Sequence, residues 1–332
     1  MACDLAVPPK VADMKAQIFK THYHRFVTNL FFAMMVVWAL GLRAAEPVVK
    51  LSSVGSDTMG VLMTSLGSMF SQDFPAIAVQ VQANGSSTAP PALQEGAASL
   101  GPMSRRMSHS EKARFRERYG YDITEIVIGV DAIAVFVHWQ NPLQQMSLPE
   151  VDAIFSQTMR CGAPKPILHW SQLLPNETNQ VQTISTFGRN SASGTYSYFR
   201  EVGLCGGDFR ITVAEQPGSS SVVQSVGASR GGIGYSGVGY QSPLVKMLSI
   251  SLYSDSLAYS PSAEASLSGQ YPLARPLYLY VNQSAASPLH GPERDFVDLV
   301  LSTRGQSVIS DSGFIPLPHA IRGSIRQRLG LK

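Results

Sequence analysis

Four short clusters of glycine and hydroxyl residues are the chemically suggestive part of this sequence. They are Gly55-Ser56-Asp57-Thr58, Gly85-Ser86-Ser87-Thr88, Gly101-Pro102-Met103-Ser104-Arg105 and Arg189-Asn190-Ser191-Ala192-Ser193-Gly194-Thr195. Serine and threonine donate O–H bonds, and glycine lets a ligand approach backbone N–H groups. Arg105 and Arg189 add permanently charged, fork-shaped donors. Such groups at helix N-termini, converging on one point, would hold a tetrahedral oxyanion. Each cluster alone reads better as an ordinary helix N-cap. Four together, two with arginine, in a chain with only 15% charged residues, favour the anion site.

The elements that must position these clusters alternate short apolar runs with amphipathic segments, the pattern of an α/β protein. Val48–Val54 reads as a strand, and Thr58–Phe70 as a helix with Met59, Leu62, Met63, Leu66 and Phe70 at helical spacing. Strand Ile77–Val81 leads to a short helix around Ala92–Gly96, and Ser110–Arg118 reads as a polar helix. The run Ile126–Trp139 is a long apolar strand, Pro149–Phe155 and Trp170–Leu174 are short helices, and strand Val181–Phe187 precedes a helix over Gly194–Val202. Then follow helix Ser219–Val226, strand Ile233–Tyr235, strand Pro276–Val281 and helix Asp295–Leu301. No spacer rich in glycine, serine or proline separates halves. The two longest apolar strands bracket a central block instead. That arrangement predicts two lobes joined by hinge strands around a cleft that can close on a ligand.

The 332 residues are 44% apolar, ample for two cores and inconsistent with disorder. The net charge of +3 belongs to the front end. Residues 1–45 hold five basic and two acidic groups, so the remainder carries 21 of each. Without a basic stripe, nucleic-acid binding has no support. Lys15, Lys20 and Arg25 precede the apolar run Leu30–Leu42 and small residues Ala44 and Ala45, the parts of a secretory signal peptide. A start at Met14 would give that leader an ordinary length, and an uncleaved anchor is the alternative. Export to an oxidising compartment leaves Cys161 and Cys205, both in turn-rich stretches without metal-ligand neighbours. One structural disulfide is the simplest pairing; two buried free thiols is the other reading. His109, His138, His169, His290 and His319 show no ligand spacing, so neither a metal nor a cofactor is expected.

The chain also resembles the periplasmic phosphate-binding proteins of PstS-type ABC transporters, over about Val48 to Leu317. The stretches GRNSASGTYSYF (188–199), IGVDAIAVFVHWQNP (128–142), LGPMSRRMS (100–108) and GGIGYSGVGY (231–240) carry the resemblance. It implies the two-lobed type II periplasmic-binding-protein fold, each lobe a mixed sheet flanked by helices and joined by two hinge strands. Its parts would be a leader over 1–45, a first lobe over 46–132, a second over 133–280, and a return to the first over 281–332. It further implies capture of inorganic phosphate in the cleft, without chemistry, for an ABC permease and ATPase in the inner membrane, by a periplasmic monomer. The family's Arg-x-x-x-Ser-Gly-Thr loop falls on Arg189, Ser193, Gly194 and Thr195. Its first-lobe contacts fall on Thr58 with Ser56 and Met59, and on Ser86 with Ser87. One departure concerns the third loop, where many members carry Ala-Ser-Asp and the aspartate accepts the ligand's proton, excluding sulfate. Here Met103-Ser104-Arg105 stands in that place, and arginine cannot accept a hydrogen bond. Asp57 is the nearest substitute acceptor, or merely a helix cap.

Two other function classes stay open on the residues alone. A secreted phosphatase-like hydrolase would use Ser193 or Ser56 as nucleophile, but no base or metal set accompanies them. A phosphate-scavenging or adhesive surface protein could use the same fold without a transporter. The run Gly227-Ala228-Ser229-Arg230-Gly231 matches a nucleophile elbow in letters only, because that motif needs a strand before it and a helix after.

Overall fold

Strands β1 (Val49–Val54) and β2 (Ile77–Gln82) run parallel, in register from Val49↔Ile77 to Val54↔Gln82. The computed structural model describes residues 49–174 and 183–331; the leader expected over residues 1–45 lies outside them. Between the two strands, α1 (Gly60–Asp73) buries Leu62, Met63, Leu66, Gly67 and Phe70, a stripe at helical spacing. After β2, a single turn over Ser86–Thr88 feeds α2 (Ala89–Gln94). Pro90 and Pro91 fall in the first turn of α2, where a missing N–H costs nothing. The expected start at Ala92 therefore sits one turn late.

Leu100–Met103 forms β3, which the Gly-Pro pair in its middle hid from a propensity reading. It pairs with β1 in parallel at Ser53↔Leu100. Helix α3 (His109–Tyr119) opens on a capping box between Ser108 and Glu111 and stops at Gly120 in the left-handed region.

Strand β4 (Ile123–His138) is buried almost throughout and joins two sheet regions. Up to Ala132 it pairs antiparallel with β11 (Ala274–Ser284), which also pairs with β3. From Ile133 onward it pairs with β8 (Gly232–Gly237) and β9 (Val245–Met247). Beyond it the chain forms β5 (Gln145–Ser147), α4 (Leu148–Phe155), β6 (Ser185–Arg189), α5 (Gly194–Tyr198), β7 (Ala214–Gln216) and α6 (Ser219–Ala228). β10 (Ser249–Ser251) pairs with β5, and α7 (Ala263–Leu267) precedes β11. The main sheet thus runs β2-β1-β3-β11-β4-β8-β6-β7, mixed in direction, with β9 beside β4. Helices α8 (Gly291–Leu301), α9 (Thr303–Asp311) and α10 (His319–Arg328) complete the chain, and α9 and α10 were not evident in the sequence.

Two large apolar clusters correspond to the two lobes. The first gathers Leu51, Leu62, Phe70, Ile128, Leu277 and Phe296; the second gathers Ile133, Phe155, Trp170, Phe199, Tyr235 and Leu273. The core changes over between Ile128 and Ala132 and returns between Leu273 and Leu277. Ala274–Tyr280 pair with β4 and β3 in the main sheet. The apolar run PLYLYV predicted a strand, but not the strands it joins.

Cys161 and Cys205 are bridged, with Cα atoms 5.3 Å apart, closing a loop of sequence separation 44. The bond ties the turn after α4 to the stretch following α5. Reduction should add one hydrogen to each sulfur by mass. It should also lower the unfolding free energy by about 2–4 kcal/mol. Urea denaturation of the oxidised and reduced protein measures this; coincident curves would deny the bridge any stabilising role.

Candidate functional site

The clusters read from the sequence lie just past the carboxyl ends of β1, β2, β3 and β6, the edge of an α/β sheet where ligands are commonly held. Three first-lobe hydroxyls meet there. Ser56 Oγ donates to Ser104 Oγ at 3.1 Å, Ser86 Oγ lies 3.2 Å from Ser104 Oγ, and the Ser104 amide donates to Ser86 Oγ at 3.0 Å. Ser56, Thr58, Ser86, Ser104, Arg189, Ser193, Gly194 and Thr195 are all buried.

The second lobe's loop reaches directly onto this cluster. Thr195 Oγ1 stands 2.9 Å from Thr58 Oγ1, and the Ser87 amide donates to the Ala192 carbonyl at 3.1 Å. Gly194 allows the approach: a Cβ there would lie 2.4 Å from Ser86 Oγ and 2.6 Å from Ser104 Oγ. Gly85, at φ +110°, makes the reciprocal accommodation, since a Cβ on it would sit 2.5 Å from the Ala192 carbonyl oxygen. Tyr240 adds another cross-lobe bond, donating from its hydroxyl to the Thr58 carbonyl at 2.8 Å. Ser193 caps its own short helix, its Oγ accepting from the Thr195 amide at 3.1 Å.

Arg189 ends β6, and its guanidinium is held from several sides. Nε donates to the Gln216 carbonyl, Nη2 to the Pro217 carbonyl at 2.9 Å, and Nη1 to Ser219 Oγ at 3.0 Å. Nη1 also lies 2.7 Å from Asp57 Oδ2, an ion pair between the lobes. That contact is charge to charge without in-line hydrogen-bond geometry, so neither Asp57 oxygen has a hydrogen-bond partner. Asp57 does not cap α1, whose N-cap position is Met59, without a side-chain cap. It lines a groove open to the outside, together with Val61, Thr64, Ser221 and Tyr240.

The Arg105 side chain bonds to Ser87 and to Glu111, and no hydrogen bond joins the Arg105 or Ser87 side chain to the hydroxyls of Ser56, Ser86 or Ser104. The Arg105 fork grips Glu111 at 2.7 and 2.8 Å and reaches Ser87 Oγ at 3.3 Å. Burial pushes the Glu111 carboxyl up, but Arg105 and the Ser108 amide outweigh it and hold the group below its usual range. Arg105 is thus spent on the cap of α3. Among the described residues, no group of histidine, cysteine and acidic side chains could hold a metal ion.

The family model for the PBP superfamily domain matches residues 43–304. The protein from Pseudomonas aeruginosa named phosphate-binding protein PstS is 47% identical over 282 residues, covering 85% of this chain and 87% of that relative. The chain belongs to the PstS family of the PBP superfamily. Solved structures share the fold at lower identity. An ABC-type phosphate transport receptor from Vibrio cholerae superposes with TM-score 0.62 at 19% identity, covering 81% of this chain and all of that one. A phosphate-binding protein from Stenotrophomonas maltophilia gives 0.61 at 17%, covering 84% and 93%.

Within this PstS-family cleft, two charged residues escaped the sequence reading. Asp131 on β4 and Arg275 on β11 are fully buried and paired at 2.8 Å, and Arg275 Nη2 also donates to Thr195 Oγ1 at 2.8 Å. The signal was available: one aspartate inside IVIGVDAIAVFVHW and one arginine opening ARPLYLYV. A lone charge in a strand predicted to be buried must find an opposite charge.

Proposed function

We propose that this chain is an extracytoplasmic solute-binding protein that captures inorganic phosphate between its lobes and delivers it to an ABC permease and ATPase. The observation that carries the reading is the meeting of four loops, from both lobes, as a buried cluster of hydroxyl and amide donors beside Arg189. The 47% identity to a protein named phosphate-binding protein supports the ligand. Ser56, Thr58, Ser86, Ser104, Ser193, Gly194 and Thr195 supply the donors, and Arg189 the charge, in a site that closure shields from water. Ser87 and Arg105 brace the second and third loops from outside. The working form is an exported monomer that performs no chemistry, with its first lobe formed by the strands and helices on either side of the β4–β11 hinge.

Titration with phosphate, arsenate and sulfate tests the reading. Saturable binding of phosphate and arsenate, with sulfate weaker, is expected; no phosphate binding would overturn it. The hydrolase alternative finds no support in the geometry. Among the described residues, Ser56 Oγ bonds to Ser104 Oγ and Ser193 Oγ to the Thr195 amide, with no base at either. Incubation with a phosphomonoester should release no phosphate.

Asp57 has a latch role in this reading, because its pair with Arg189 joins the lobes at a point open to the outer groove. Asp57→Asn should weaken phosphate binding, because it removes one member of a buried charge pair that joins the lobes, and should speed release. Stopped-flow dissociation measures this; an unchanged release rate would remove the latch.

A further inference from the structure

A cavity of about 500 Å³ opens beside the two hinge strands, at Val127 and Val130 of β4 and Ala274 and Pro276 of β11. Leu267 of α7 and Ile321 and Ile325 of α10 add to its apolar wall. None of the four donor loops lines it. Its size suits a small organic molecule, since such sites span about 300–1,000 Å³.

Two features of the wall select a class of occupant. Ser266 lines the cavity and is only 7% exposed, yet its hydroxyl has no hydrogen-bond partner. A buried O–H left unpaired costs free energy, and an acceptor held in the cavity would remove that cost. Charge is the second feature. Arg328 lines the cavity and donates Nη2 to a neutral group, the Glu125 carbonyl, at 3.2 Å. Arg275, the other charged lining residue, is neutralised by Asp131. No acidic side chain lines the cavity. Apolar walls, a free O–H donor and a cation without a carboxylate partner among the described residues fit an apolar body that carries a carboxylate.

The position of the cavity gives its occupant a consequence. Leu317 belongs to the first apolar cluster and Ile325 packs against it, whereas Ala265, beside Ser266 in α7, belongs to the second. An occupant that touches both α7 and α10 therefore senses the angle at the hinge. Bound to the form in which the lobes meet, it favours that form, and phosphate affinity rises with it.

We infer that this hinge cavity is an effector site for an amphipathic carboxylate. Ser266 Oγ donates to the carboxylate, Arg328 supplies the opposite charge, and occupancy holds the lobes together. The site stands on its own walls; only its coupling to closure rests on the phosphate reading above.

Decanoate, at neutral pH and below its aggregation concentration, is the probe, with decanol as the uncharged control. Calorimetric titration of the full chain should show saturable decanoate binding, with decanol weaker. Ile321→Glu places a carboxylate in the wall at a position 48% exposed. It should abolish decanoate binding and leave phosphate binding, measured without decanoate, unchanged. Ser266→Ala should weaken decanoate about tenfold, the scale of a hydrogen bond to a charged group, and Arg328→Ala up to about fivefold, the scale of an exposed pair. Saturating decanoate should raise phosphate affinity about fivefold, and phosphate should raise decanoate affinity by the same factor. Absence of saturable decanoate binding, parent-like binding by Ile321→Glu, or equal affinity for decanol overturns the site. Decanoate binding that leaves phosphate affinity unchanged overturns the effector role. A parent that binds decanoate but no phosphate removes the phosphate reading and leaves the site standing. If Ile321→Glu fails to fold, Leu267→Trp, at a position 45% exposed, fills the cavity from α7 and is read in the same way.

Discussion

Replacing Arg189 by alanine is expected to weaken phosphate binding by about 2–5 kcal/mol, roughly thirtyfold to several thousandfold, as for truncating one member of a buried charge pair. The effect has two sources. The site loses its permanent charge where the anion's charge must be neutralised away from water. Asp57 also loses its counter-charge and then repels the incoming anion. The loop carrying Ser219 suffers as well, because the guanidinium ties Gln216, Pro217 and Ser219 to β6. Thermal unfolding should accordingly show a lower midpoint in a protein that still folds. Arg189→Lys separates the contributions: charge is kept, but the planar fork that satisfies several acceptors is lost. Calorimetric titration of both variants measures the effect. Parent-like affinity in a folded Arg189→Ala protein would remove this residue from the site.

Gly194→Ala is the second substitution with a large expected effect, and it acts without deleting any donor. The added methyl would lie 2.4 Å from Ser86 Oγ and 2.6 Å from Ser104 Oγ, inside any allowed contact. Either those hydroxyls rotate off the cluster or the loop backs away from the first lobe. Overpacking of this kind costs about 1–3 kcal/mol. Because the clash exists only where the lobes meet, the cost falls on the closed form and appears as lost affinity, about fivefold to 150-fold. The separated lobes would tolerate the methyl, so the unfolding midpoint should move far less than affinity does. Titration beside thermal unfolding tests this. Equal losses in both would mean that the position serves the fold rather than the closure.

Much of this molecule is legible along the chain because the responsible physics is local. The stripe Leu62, Met63, Leu66, Phe70 dictates a helix by its spacing alone, and glycine with hydroxyl residues after an apolar run marks a loop with spare N–H and O–H groups. The solitary charge balance of residues 46–332 and the two remaining cysteines likewise needed no coordinates. Where local signals conflicted, the reading slipped. Gly101-Pro102 disguised β3, whose backbone is satisfied by β1 and β11 rather than by its own preferences. Helices α9 and α10 carry weak apolar stripes, and packing beside α8 decides them.

The sequence by itself determined the α/β class, the hinge strands, the disulfide candidates and the four donor loops. Tertiary structure alone decided where each side chain's charge is spent. Arg105 turns to Glu111, six positions along the chain, while Arg189 pairs with Asp57 of the other lobe. Asp131 and Arg275 meet only because β4 and β11 lie antiparallel in one register. Hydrogen bonds and ion pairs act over about 3 Å, whereas these partners are separated by up to 144 positions. Local sequence specifies which groups a residue brings. Only the folded chain brings the distant partner within reach.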